Sequence, residues 1–113
     1  MSISIYYFTT NNSKYGNLRI GSLNSLTGKE AAIIRDEIKE FAETDFEKIY
    51  IDTKYVQEVD ISGINEIIHA HYLLQRTGKK IVLAYKENSI VQRWVQTTGL
   101  DRFVEVAIIP ASA

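Results

Sequence analysis

The sequence predicts an α/β fold whose elements follow in the order β-β-α-β-α-β-α-β and build a mostly parallel sheet covered by helices. Three observations lead to this prediction. Apolar residues alternate near the N-terminus, and short apolar runs typical of buried strands recur at 49–51 and 81–85. Between these runs, apolar residues recur at helical spacing. Strands that alternate with helices need crossover connections, which make neighbouring strands parallel.

The composition describes a globular chain with little catalytic equipment. Its 113 residues carry a formal charge of −1, with 45% apolar and 24% charged residues, which predicts one domain spanning residues 1–113. The absence of cysteine excludes disulfides, thiolate zinc sites and cysteine nucleophiles. The near-neutral charge argues against direct nucleic-acid binding. No apolar run approaches the roughly 20 residues of a membrane span, and no signal-peptide pattern opens the chain, so a cytoplasmic protein without membrane insertion is expected.

The N-terminal elements are two strands and a helix. Residues 2–8 alternate and are rich in Ile and Tyr, and turn-forming residues at 11–16 separate them from a second strand, Leu18 to Leu23, which predicts a hairpin. Thr27-Gly28-Lys29-Glu30 has the spacing of a capping box, so the first helix should begin there; Thr44-Asp45 should end it. Its predicted core stripe is Ala31, Ile34, Ile38, Phe41 and Ala42.

The middle of the chain contains a strand, a linking segment and a helix. The strand Ile49–Ile51 precedes Asp52, and the segment after it carries Val56 and Val59 inward. The second helix should begin near Asp60-Ile61-Ser62-Gly63 and stop at Thr77-Gly78, where glycine can adopt the left-handed cap. Its predicted core side is Ile64, Ile67, Ile68, His71 and either Leu74 or Gln75.

The C-terminal part repeats the strand–helix–strand pattern. The strand Ile81–Tyr85 is followed by Ser89-Ile90-Val91-Gln92, a second capping-box match that opens the third helix. Gly99 suits the residue after this helix, with Leu100 making the accompanying apolar contact, and Phe103 to Ile109 is the last predicted strand. The predicted core residues of the third helix are Ile90, Val91, Trp94 and Val95.

The segment from Ile49 to Gly63 reads IYIDTKYVQEVDISG, with an eight-residue step from Asp52 to Asp60. It resembles the signature of STAS domains, the family of bacterial anti-sigma factor antagonists: an apolar strand ending in Asp, then a second Asp followed by Ser-Ser-Gly or Thr-Ser-Gly. Ser62-Gly63 matches the last two positions. The resemblance covers roughly residues 3–106 and includes Gly78-Lys79-Lys80 before a strand, Thr98-Gly99-Leu100 at a helix end and Phe103 on the last strand.

Three departures from the family pattern affect the expected function. Ile61 stands where phosphoregulated members carry the Ser or Thr that a partner kinase modifies, and Glu58 stands where an apolar residue, often Phe, is usual. The residues Ala107 to Ala113, which include a proline, leave little room for the further helix that members carry after the last strand. That gap would expose a sheet face or groove for a partner or a second copy.

Two interpretations of Ile61 stay open on the sequence. An exposed Ile61 would offer a partner an apolar contact bracketed by Glu58 and Asp60, whose charges favour a basic patch opposite. Alternatively, Ile61 folds back before the cap and packs inside. Ser62 is predicted to cap the helix with its hydroxyl. Phosphorylation of Ser62 is the alternative, although helix geometry turns it about 100° from the position that is modified in the family.

Other chemistry finds little support in the sequence. Asp52 and Asp60 resemble a carboxylate pair, but no histidine, lysine or metal motif accompanies them at informative spacing, so the protein is predicted not to be an enzyme. His69 and His71 are two residues apart on a helix and point about 200° apart, which excludes joint metal binding. No glycine-rich nucleotide motif is present. We therefore predict neither a metal nor a cofactor.

The resemblance implies a STAS-like regulatory module that binds a protein and performs no chemistry. The implied partner is an anti-sigma factor with a kinase-type fold, or another regulatory protein, docked at the start of the second helix without the usual phosphoswitch. The implied contact residues are Asp52, Glu58, Asp60, Ile61, Ser62 and Gly63. A second hypothesis keeps the fold and makes the protein a structural or regulatory subunit of a larger assembly, such as a bacterial lipid transporter, or a homodimeric scaffold. A third hypothesis is a small enzyme or nucleotide binder that uses Asp52 and Asp60.

Overall fold

The computed structural model describes residues 4–8, 17–21 and 23–110, with the side chains placed from residue 23 onward. The strands in this part of the chain are β1 (Ser4–Phe8), β2 (Asn17–Gly21), β3 (Ser25–Leu26), β4 (Lys48–Asp52), β5 (Glu58–Val59), β6 (Lys80–Lys86) and β7 (Glu105–Ile109). The helices are α1 (Gly28–Ala42), α2 (Ile61–Gln75) and α3 (Ile90–Thr98), followed by a short 3-10 helix at Leu100–Arg102. The predicted turn at 11–16 lies outside the described residues.

The main sheet has the predicted architecture. Among the described residues its strand order is β1-β2-β4-β6-β7. The first pair, β1 and β2, is antiparallel, and every later pair is parallel. The predicted N-terminal strand pairing and the mostly parallel sheet are therefore confirmed. The carboxyl ends of β4 and β6 consequently lie at the same edge, because parallel strands end on the same side.

The helices pack on one face of this sheet. The buried cluster joins α1, α2 and α3 to alternate residues of the strands, such as Ile49 and Ile51 of β4 and Leu83 of β6. Residues between them in sequence, such as Tyr50, lie on the opposite face, because side chains alternate along a strand. Most predicted core positions of α1 and α2 are buried, and Leu74 rather than Gln75 points inward.

A second, two-stranded sheet of β3 and β5 was not predicted. Each of its strands has two residues, Ser25–Leu26 and Glu58–Val59, and they pair in parallel. Runs this short carry no recognisable hydrophobic period, so the sequence offers no strand pattern there. The pairing ties the segment before α1 to the segment before α2.

The start of α3 corrects two expectations. Ile90, predicted as a core residue, is 36% exposed because it is the first helical residue and lies off the buried stripe of Val91 and Val95. The hydroxyl of Ser89 accepts from the Gln92 N–H, as in a capping box, but the Gln92 side chain accepts from Asn88. The Ser89 N–H already donates to the Lys86 carbonyl in the preceding turn.

Candidate docking site at the start of the second helix

The site begins where β4 ends. Asp52 is the last residue of β4 and is only 3% exposed. Its carboxylate accepts a 3.0 Å hydrogen bond from the Lys54 N–H, and the Lys54 ammonium lies 3.5 Å away. Thr53 donates through its N–H and its hydroxyl to the Ala84 carbonyl of β6. Asp52 and Thr53 therefore fix the direction in which the loop leaves the sheet.

Asp60 joins the starts of α1 and α2. One carboxylate oxygen accepts from the Gly63 N–H at 2.9 Å, which caps α2, and the other accepts from the Gly28 N–H of α1 at 3.3 Å. The Asp60 N–H donates to the Leu26 carbonyl of β3 at 3.1 Å. The prediction that Ser62 caps α2 is wrong. The pairing of β5 with β3 places Asp60 at the cap position, so Ser62 lies inside the first helical turn with its side chain exposed.

Gly63 allows the two helix starts to come together. A Cβ atom at this position would lie 2.0 Å from the Leu26 carbonyl oxygen and 2.9 Å from the Thr27 nitrogen. No side chain fits at such distances, so α2 can approach β3 only through a glycine. Ser62 lies beside Gly28, where a Cβ would be 3.4 Å from the Ser62 Cβ. The start of α1 therefore belongs to this site, although none of the predicted site residues lies on it.

A buried acidic side chain stabilises the same junction. Glu30, 3% exposed, accepts from the Ser25 hydroxyl at 2.6 Å and from the Thr27 hydroxyl at 2.8 Å. It also accepts from the Thr27 N–H at 3.0 Å, which completes the predicted capping box of α1. Burial acts to raise the pKa of Glu30, but these hydrogen bonds act in the opposite direction and leave the pKa below its usual value. Glu30 is thus held ionised.

Ile61 projects from this rigid junction into solvent. Its side chain is 53% exposed, which excludes the interpretation that it packs into the core. Glu58 is exposed and Asp60 half-buried beside it in sequence, so negative charge accompanies the apolar group. Two further exposed apolar side chains lie at the edge of the sheet where β4 and β6 end: Tyr55 in the preceding loop and Ile90 at the start of α3.

A polar cleft adjoins the loop between β4 and β5. It has a volume of about 380 Å³ and is lined by Asn24, Lys54, Tyr55, Val56, Gln57 and Lys86. None of the predicted site residues lines this cleft. The signal that was available is topological: Lys54 follows the end of β4 and Lys86 ends β6, and neighbouring parallel strands end at the same edge of the sheet.

The structure brings only some of the predicted site residues together. The start of α1 is contacted by Asp60, Ser62 and Gly63. Glu58 and Ile61 are exposed beside these residues in sequence. Asp52 and Gly63 are buried, so they support the site without reaching its surface. The described hydrogen bonds do not join Asp52 and Asp60, which were considered as a carboxylate pair: Asp52 accepts from the Lys54 N–H, and Asp60 accepts from the Gly63 N–H. Within residues 4–8, 17–21 and 23–110, no cluster of three or more His, Cys, Asp or Glu side chains is arranged to hold a metal ion. No helix in this part of the chain is long and apolar enough to cross a membrane.

Comparison with known proteins gives a clear result only at the level of structure. Neither models of protein families nor curated protein sequences match this chain. A proposed anti-sigma factor antagonist from Thermotoga maritima superposes with a TM-score of 0.72 at 17% identity, over 96% of this chain and 88% of that one. The unphosphorylated anti-sigma factor antagonist SpoIIAA gives a TM-score of 0.65 at 15% identity, over 94% and 87% of the two chains.

A third solved structure is SpoIIAA of Bacillus, a cell fate determinant, in its phosphorylated form. Its TM-score is 0.61 at 16% identity, over 90% of this chain and 91% of that one. The superpositions extend over most of both chains, so the likeness concerns the fold as a whole. This protein therefore has the STAS-like fold of the anti-sigma factor antagonists.

Proposed function

We propose that this protein is a regulatory module that binds a partner protein through the start of α2 and performs no chemistry of its own. The observation that carries the proposal is the exposure of Ile61, 53%, on a junction held by hydrogen bonds and close packing. An apolar side chain presented by a rigid element loses little conformational entropy on binding. The fold shared with anti-sigma factor antagonists makes an anti-sigma factor of the kinase type the expected partner.

The six predicted contact residues take different roles in this proposal. Ile61 supplies the central apolar contact, and Glu58 and Asp60 supply negative charge that favours a basic patch on the partner. Ser62 completes the exposed turn beside Gly28. Asp52 and Gly63 are buried, so they act by holding the loop and the helix start in place. The mechanism is competition for a surface of the partner.

The residue at position 61 also determines how binding is controlled. In phosphoregulated members of the family, a hydroxyl at this position accepts a phosphate, which would place about −1.5 to −2 charges in the interface. Isoleucine has no hydroxyl, so we propose that binding here is constitutive at this position. Ser62 is an exposed hydroxyl in the same turn and is the proposed site if phosphorylation occurs; intact mass before and after phosphatase treatment tests it.

Substitution of Ile61 tests the proposed contact. Ile61→Glu should weaken partner binding by a factor of roughly 30 or more, the effect of losing a central apolar contact. The thermal midpoint should hardly change, because an exposed side chain contributes little to folding. Ile33→Glu is the matched control, since Ile33 of α1 is 38% exposed and lies outside the site. Binding is measured by calorimetry with the partner captured from the native host and identified by mass spectrometry.

The outcomes of this experiment separate the alternatives. An anti-sigma factor whose binding is lost in Ile61→Glu and kept in Ile33→Glu supports the proposal. A transporter ATPase as the captured partner supports the structural-subunit alternative instead. Equal binding by both variants contradicts the assigned surface, and a collapse of stability in Ile61→Glu contradicts its exposure. A thermal shift with a nucleotide would favour the enzymatic alternative.

A further inference from the structure

Among the described residues, the strand β7 lies at one edge of the main sheet and pairs with β6 alone. Its sequence EVAII has one charged residue, at its start, and Ile108 is 52% exposed. Soluble proteins usually protect such edges with lysines, prolines or bulges, because an unpaired strand offers its backbone to another strand. The described edge carries such protection only after its end, at Pro110.

The backbone groups that face outward from this edge can be assigned. The carbonyl of Ile109 accepts from the Glu87 N–H, so Ile109 directs its backbone groups toward β6. Successive residues of a strand direct these groups to opposite sides, so Ala107 also faces β6, whereas Val106 and Ile108 face outward. Pro110 would be the next outward residue and has no N–H to donate. The open edge therefore presents two donors and two acceptors, centred on Ala107.

We propose that β7 pairs antiparallel with β7 of a second copy of this chain, about a two-fold axis at Ala107. In this register Val106 lies opposite Ile108 of the other copy, and all four donors and acceptors of each edge segment are satisfied. A two-fold axis at Val106 or at Ile108 would satisfy fewer of them, because the Val104 N–H already donates to the Leu100 carbonyl and Pro110 has no N–H. The residues on the axis form a pair without hydrogen bonds, where antiparallel Cα atoms approach to about 4.5 Å. Alanine suits this close approach because its side chain is small.

The side chains complement one another in the same register. Each exposed Ile108 meets Val106 of the other copy, and pairs of β-branched residues stabilise neighbouring strands. Glu105 of one copy lies opposite Ile109 of the other copy. Within each chain, Ile109 is in register with Lys86 of β6. Lys86 and the other copy's Glu105 are thus two strands apart on one face of the sheet. Lys48 already spans this separation within one chain, since its ammonium lies 3.6 Å from the Glu105 carboxylate across β6. This charge complementarity favours a second copy as the occupant.

The dimer would join two five-stranded sheets into one continuous sheet. None of the six residues of the proposed docking site lies on β7, so each dimer would carry two docking sites and bind a dimeric or clustered partner with avidity. An interface of five residues on each side is smaller than a standard stable interface, so we expect a dissociation constant in the micromolar range. The dimer does not depend on the proposed function, because its test requires no partner protein.

A cysteine placed on the axis tests the register. The chain contains no cysteine, so Ala107→Cys introduces a single thiol. Two such residues about 4.5 Å apart lie within the Cα separation of a disulfide. Ala107→Cys should therefore form a covalent dimer under mild oxidation. Ile109→Cys is the matched control: its two copies would be offset by four residues, about 14 Å along the strand, and should stay monomeric on a denaturing gel.

A charged edge residue tests the dimer itself. Sedimentation of the native chain from micromolar to millimolar concentration should show a monomer–dimer equilibrium. Ile108→Lys should abolish it, since a lysine in the centre of an edge opposes pairing. Ile33→Lys makes the same change at an exposed isoleucine of α1 and should leave the equilibrium unchanged.

Each outcome decides for or against the pairing. A native chain that is monomeric at millimolar concentration overturns the proposal, as does a dimer that survives in Ile108→Lys. Equal cross-linking of the two cysteine variants overturns the register even if Ile108→Lys fails to fold. Loss of the dimer in Ile108→Lys, together with cross-linking at position 107 alone, supports it.

Discussion

Replacing Gly63 by alanine should destabilise the protein, although alanine is the better helix former. In an unconstrained helix interior the change stabilises by about 1 kcal/mol. Here the new Cβ would lie 2.0 Å from the Leu26 carbonyl oxygen, a backbone atom that cannot rotate away. Contacts below 3.0 Å essentially never occur for a real Cβ, so α2 must move away from β3 by roughly 1 Å.

The cost of this movement sets the expected size of the effect. Overpacking costs about 1–3 kcal/mol. The displacement also strains the bonds from Gly28 N–H to Asp60 and from Asp60 N–H to Leu26, which are 3.3 and 3.1 Å long. Weakening these two hydrogen bonds costs about 1 kcal/mol, which offsets the gain of about 1 kcal/mol in helix propensity. The net loss is therefore about 2 kcal/mol, the middle of the overpacking range. For a chain of this length, such a loss lowers the thermal midpoint by roughly 8 °C.

Urea and thermal unfolding followed by circular dichroism measure this effect, with Gly28→Ala as the matched control. Gly28, like Gly63, lies in the first turn of a helix at the same junction, but the nearest atom to its added Cβ, in Ser62, would be 3.4 Å away, an ordinary contact. Gly28→Ala should therefore be neutral or slightly stabilising. If Gly63→Ala proves as stable as the native chain, the close approach of α2 to β3 is wrong.

Two further predictions concern the same junction. Asp60→Ala should cost about 1–2 kcal/mol of unfolding free energy through loss of the α2 cap, while Asp60→Asn, which keeps an acceptor, should cost less; equal losses would mean that the carboxylate does not act as the cap. Glu30→Gln should cost about 1–2 kcal/mol at pH 7, because a neutral amide accepts the three hydrogen bonds less strongly. Since the pKa of Glu30 is lower in the folded chain than in the unfolded chain, its stabilising contribution is present above the usual pKa of a glutamate and is lost as the pH falls through the folded pKa. In urea titrations, the difference in unfolding free energy between the native and Glu30→Gln chains should be smaller near pH 4 than at pH 7. An equal difference at both pH values would contradict the assignment of this stability to the ionised carboxylate.

The local features of the sequence were sufficient to predict several elements. The capping box at Thr27 and Glu30 formed as expected, because both partners belong to one helical turn. Gly99 took the left-handed conformation after α3, with φ of 71°, and Leu100 is fully buried. The two histidines also followed the helical period, with His69 exposed and His71 half-buried.

The errors arose where a long-range contact chooses between local options. Asp60 and Ser62 are both good capping residues, two positions apart, and either suits the sequence. The pairing of β5 with β3, more than thirty residues away along the chain, settles the choice in favour of Asp60. Similarly, Ile90 has an apolar side chain at a suitable spacing, but its place at the very start of α3 leaves it partly in solvent.

The sequence by itself determined the order of the helices and of the five strands of the main sheet, and its resemblance to the STAS signature pointed to the segment from Asp52 to Gly63. The order of these elements follows from hydrophobic periods and caps, which depend on neighbours within a few residues. Only the tertiary structure decided that Ile61 is exposed, that Gly63 lies against Leu26 and that β7 lies at an edge of the main sheet, with β6 as its partner among the described strands. Those properties depend on which distant backbone segments come together, and a pattern of local residue types does not encode those distances.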